Sequence, residues 1–93
     1  MNKVLAILGA GELGKQIANF ALKDKHYSEV FFYDDINISE EIKGNTNDLI
    51  TDFNNNLFDE LIIGIGYNHL KAREEKFQFL KDKIKFGKII HST

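Results

Sequence analysis

Val4-Leu5-Ala6-Ile7-Leu8, followed at once by Gly9-Ala10-Gly11-Glu12-Leu13-Gly14, is the stretch that decides the fold. The first five residues are an apolar run too short for a buried helix, of the kind found in parallel strands covered on both faces. The next six match G-x-G-x-x-G. Residues 12–24 then place Leu13, Ile17, Phe20 and Ala21 at helical spacing, which predicts one stripe facing a core. A glycine motif between a strand and a helix has a mechanical meaning that an isolated match lacks. Gly9 permits a tight turn, Gly11 lets a phosphate approach the backbone, and Gly14 lets helix and strand pack closely. The free N–H groups and dipole of the helix start favour an anion there. Glu12, in the first turn, suits the dipole but repels a phosphate unless it points away.

Outward from this unit the alternation continues. Val30–Tyr33 is β-branched and aromatic and predicts a second strand, closed by Asp34 and Asp35. Residues 36–59 are irregular, with a turn at Gly44, Asn45 and Asn47, a short helix within Asp48–Phe53 and an exposed loop at Asn54–Asn56. Leu61–Ile65 predicts a third strand. Residues 69–84 carry Leu70, Phe77, Leu80 and Ile84 on one helical face, and Lys88–Ile90 begins a fourth strand after the helix stop Gly87. Strands alternating with helices predict an α/β domain of about four parallel strands flanked by helices.

The chain has 93 residues, enough for one domain and one core. It has no Cys, which excludes disulfides and thiolate sites and fits a reducing, cytoplasmic setting. The net charge of −2 argues against a general nucleic-acid binder. No apolar run approaches the roughly 20 residues of a membrane span, and the start does not read as a signal peptide. Charge is uneven: residues 34–60 sum to −7 and residues 61–93 to +4. The acidic segment reads either as solvated loops or as a docking patch.

The candidate binding residues fall at one edge of the predicted sheet. Asp34 and Asp35 lie about twenty residues past Gly14, where dinucleotide folds hold a ribose hydroxyl. Gly66 and Asn68 end the third strand at the same edge, and Asn68 also suits a helix cap. Lys71 and Arg73 sit in the first turns of the next helix, within reach of a phosphate or in solvent. His26, His69 and His91 have no metal-ligand spacing, and no nucleophile, base and acid fall into a triad.

Together, VLAILGAGELGKQIA, FFYDD, LIIGIGYNHLKARE and the terminal IIHST resemble the amino-terminal domain of bacterial sugar acyltransferases of the PglD type. The resemblance covers nearly all of the chain. It implies a small Rossmann-like domain that holds a nucleotide sugar, usually with UDP as carrier. A left-handed β-helix would follow residue 93, form trimers, bind acetyl-CoA and supply the catalytic His. On this likeness Gly9, Gly11, Glu12, Leu13 and Gly14 form the glycine turn, Asp34 and Asp35 the acidic pair, and Gly66, Asn68 and Lys71 the third-strand end. His91 and Ser92 would be the hand-over into the β-helix. Glu12 and Leu13 depart from the Gly and the His or Phe common in the family. These residues alone are then a binding domain without catalytic or cofactor residues of their own. The alternatives are a nicotinamide-binding module, which the glycines and Asp34 suit equally, and a structural domain without a ligand.

Overall fold

The computed structural model of the chain describes residues 3–23, 27–36, 39–65 and 70–87. The elements run β1 (Val4–Leu8), α1 (Glu12–Lys23), β2 (Glu29–Tyr33), β3 (Ile42–Gly44), α2 (Thr46–Asn54), β4 (Glu60–Ile63) and α3 (Leu70–Leu80). The strands form one sheet in the order β3-β2-β1-β4. All pairings are parallel, with Leu5 opposite Val30 and Glu60, and Leu8 opposite Tyr33 and Ile63. A small Rossmann-like α/β domain results, as the alternating pattern predicts.

Because β1 is central, alternate side chains of its apolar run enter different cores. Leu5 and Ile7 pack with Ile17, Ala18 and Ala21 of α1. Ala6 and Leu8 pack on the other face with Tyr33, Leu49 of α2, Phe58, Leu61, Leu80 and Ile84. Burial on both faces explains why β1 shows no polar alternation.

Strand β3 lies inside the segment that reads as irregular. Three residues at a sheet edge, joined to Phe32 and Tyr33 across a register shift, leave too short a pattern to recognise. Helix α2 also starts earlier than its apolar residues suggest. Asn45 caps it, accepting from the N–H groups of Asn47 and Asp48, while Asp48 returns a hydrogen bond to the Asn45 N–H. Asn56, at φ 63°, takes the turn after α2 in a conformation Asn tolerates.

The predicted strand at Lys88–Ile90 lies outside the described residues. Just before it, Phe86 bridges Leu61 in the parallel sense, with Leu61 N–H donating to the Lys85 carbonyl and Gly87 N–H to that of Leu61. The predicted α3 stripe divides. Leu80 and Ile84 are buried, whereas Leu70 and Phe77 are exposed. Only the carboxyl end of α3 enters the core; Ala72 and Lys76 line a cavity on the same side, and Leu80 and, past the helix end, Ile84 continue that line at intervals of four into the core. No helix among the described residues is long and apolar enough to cross a membrane.

Candidate functional site

The chain extends from β1 to β2 and β3 on one side, then returns to place β4 on the other. The carboxyl ends of β1 and β4 therefore flank a reversal of strand order, the position at which open parallel sheets form a ligand crevice. A cavity of about 450 Å³ opens there. Its floor is Leu8, Gly9, Gly11, Gly64 and Ile65; Asp34, Asp35 and Ile36 form one wall, and Ala72 and Lys76 of α3 the other. That volume falls within the range of small-molecule sites.

Three glycines fix the floor by contact. Gly9 has φ +112°, and a Cβ there would stand 2.9 Å from the Gly64 carbonyl oxygen. A Cβ on Gly14 would fall 1.9 Å from the Gly9 carbonyl oxygen, and one on Gly64 would fall 2.9 Å from Gly14 Cα. The start of α1, the turn and the end of β4 thus touch backbone to backbone. Gly11 differs: a Cβ there would meet nothing within 4 Å among the described residues. Packing among the described residues does not require that glycine, and Gly11 lines the cavity.

Asp34 braces the turn. Its Oδ2 accepts from Ala10 N–H and its Oδ1 from Ile36 N–H, each at 2.8 Å. Asp35 reaches the opposite way. Its Oδ1 accepts from the Thr46 N–H at 2.8 Å, and its Oδ2 from the Thr46 hydroxyl at 2.6 Å and from Lys76 Nζ at 2.8 Å. Burial works to raise the Asp35 pKa, but the donors on Lys76 and Thr46 outweigh it and hold the carboxyl below its ordinary value. Both carboxylates thus organise the wall of the cavity as well as facing it.

Of the candidate residues, Gly9, Gly11, Asp34 and Asp35 come together around the cavity. Gly14 is buried beneath its floor. Glu12 is exposed, and Leu13 packs against the core on the α1 side. Lys71 is exposed on α3 and is not among the residues lining the cavity. Gly66, Asn68 and His91 lie outside the described residues, as do Ser92 and the other two histidines. Two participants escape a motif search. Thr46 is buried and ties α2 to Asp35. Lys76 is one turn from Ala72 and one from Leu80, so the fourfold spacing of the inward line was the available signal.

The parallel sheet, the glycine turn and the cavity at its carboxyl edge define a Rossmann-like domain with an open crevice where the strand order reverses. The chain belongs to the family described as PglD N-terminal domain, which matches residues 4–78. No curated protein and no solved structure matches it significantly.

Proposed function

We propose that the chain is the nucleotide-sugar-binding domain of a bacterial sugar acyltransferase, with a UDP-sugar as ligand. The observation that carries this reading is Gly11, a glycine with open space at its Cβ position on the floor of a 450 Å³ cavity, in a chain of this family. The ligand's diphosphate lies along Gly9–Gly11 at the start of α1, where N–H groups and dipole favour it. The nucleoside lies toward Asp34 and Asp35, and the family likeness adds Gly66, Asn68 and Lys71 to the ligand's contacts. The domain contributes position and orientation to catalysis. Acyl transfer from acetyl-CoA belongs to a carboxyl-terminal β-helix and its trimer partners, in the cytoplasm.

Titration of UDP, a UDP-sugar and NADH separately into isotope-labelled protein tests this. The expected result is amide shifts at Gly9, Ala10, Gly11, Asp34 and Asp35 with UDP and the UDP-sugar. Shifts with NADH alone would replace the reading with a nicotinamide-binding one. No shift with any of the three would leave a structural domain.

A further inference from the structure

Lys76 is the one cationic side chain among the described residues that line the cavity. It is not held deep in the wall: its side chain is 33% exposed and that of its partner Asp35 34%. The ion pair crosses from the end of β2 to the middle of α3, at the mouth of the cavity. The bonding around Asp35 is unequal in a way that matters. Thr46 gives one hydrogen bond to each Asp35 oxygen, and Lys76 adds a second donor to Oδ2 alone. If Lys76 turns away, each oxygen still keeps a Thr46 donor. The lysine is therefore a detachable cation, whereas Asp35 and Thr46 are a fixed pair.

Resting on the nucleotide reading above, we infer that Lys76 binds the phosphates of the ligand, exchanging Asp35 for the diphosphate when the cavity fills. A diphosphate carries more negative charge than the single carboxylate it replaces. The lysine ammonium is a compact charge on a flexible stem, suited to such an exchange. The glycine turn meets the phosphates with backbone N–H groups from one side, and Lys76 meets them from the α3 side. The pair makes the site selective for phosphorylated ligands over neutral nucleosides or free sugars. It also gives Asp35 a role distinct from reading a ribose: it holds the lysine over the cavity until an anion arrives.

The test is calorimetric titration of UDP and of uridine into the 93-residue chain and three variants. Lys76→Met is expected to weaken UDP about tenfold, or ~1.4 kcal/mol, and to leave uridine unchanged. Lys76→Arg restores most of the UDP affinity. Lys83→Met, an equal change of net charge at an exposed site away from the cavity, moves UDP by less than about twofold, as a distant screened charge should. Equal UDP affinity in wild type and Lys76→Met overturns the inference and leaves the nucleotide reading standing. Equal losses of UDP and uridine in Lys76→Met also overturn it, because they make Lys76 a support of the cavity wall. Failure of the wild-type chain to bind UDP removes the nucleotide reading itself.

Discussion

The two edges of the sheet use charge in opposite ways. At the amino edge, Glu60 is 7% exposed and closes a network. It accepts from the Tyr27 hydroxyl at 2.5 Å, with Lys3 at 3.3 Å and Lys85 at 3.5 Å. Beside it, Asp59 accepts from the N–H of Val4 and fastens the start of β1. Three elements and both ends of the described chain meet there. At the carboxyl edge Asp34 and Asp35 tie the β1 turn, α2 and α3 to the end of β2 beside an open cavity, and Lys76 is the cation proposed to exchange there. A buried carboxylate whose oxygens are all engaged locks a fold, while an ion pair at a cavity mouth can exchange partners with a ligand.

The difference breaks first at the glycines. Gly14→Ala pushes a methyl carbon to 1.9 Å from the Gly9 carbonyl oxygen, and backbone cannot yield as a flexible side chain does. The expected loss is about 3 kcal/mol or more, at the upper end of overpacking effects. In a domain this small that is a large share of total stability. Urea unfolding followed by circular dichroism reads it. A variant as stable as wild type would mean that the turn has slack, and the rigid floor would have to be given up.

Glu60→Ala attacks the other edge. Lys3 and Lys85 are largely exposed and return to water, but the Tyr27 hydroxyl is left buried without its acceptor. The expected cost is about 2 kcal/mol, that of an unsatisfied buried donor. The pH dependence sharpens the assignment. Burial raises the Glu60 pKa, yet hydrogen bonds from Tyr27 and Lys3 bring it below its ordinary 4.5. Its contribution is complete above that value and is lost as pH falls through the lower folded one. Tyr27 is shifted the other way, above its ordinary 10.0, by burial and by its bond to Glu60. Its contribution is complete below pH 10.0 and is lost as pH rises through the raised folded value. Glu60→Ala should therefore flatten both limbs of the stability profile, and ligand binding by the folded fraction should not change. Unchanged limbs would deny the network its place in the fold.

These two edges were unequally legible in the sequence. The carboxyl edge announces itself, because Gly9, Gly11 and Gly14 follow an apolar run and Asp34 ends the next strand. Local order alone places them together. The amino edge does not, since Lys3, Tyr27, Glu60 and Lys85 are far apart in the chain and join only through parallel pairing. The same blindness affects the −7 segment. Its acids read as solvated loops or a docking patch, yet the fold uses most of them internally. Asp34, Asp35, Asp59 and Glu60 brace strand ends, Asp48 closes the α2 cap and Asp52 accepts from the buried Tyr33 hydroxyl at 2.7 Å. Composition records how many carboxylates there are and not how many have partners. Lys76 was hidden for a related reason: a lysine in a helix reads as solvated until the helix's inward face is known, and the exposed Leu70 and Phe77 pointed to the wrong face.

Gly11→Ala is the smallest change in stability and the most informative comparison with Gly14. Gly11 precedes α1, its carbonyl accepts from Lys15 N–H, and it does not have the left-handed backbone that would penalise a side chain. Among the described residues, nothing lies within 4 Å of the added methyl. The expected loss of stability is about 0.5 kcal/mol or less, the cost of placing Ala where a helix start prefers Gly. Affinity for UDP should respond differently, because the methyl occupies the space through which a phosphate reaches the backbone N–H groups. Losing one such charge-assisted hydrogen bond corresponds to about 1.5–3 kcal/mol, roughly tenfold or more in affinity. Two glycines three residues apart in one motif are thus expected to separate, Gly14→Ala by its loss of stability and Gly11→Ala by its loss of UDP affinity. If Gly11→Ala binds UDP as wild type does, the phosphates do not lie along this turn, and the open position at Gly11 has to be explained without a ligand.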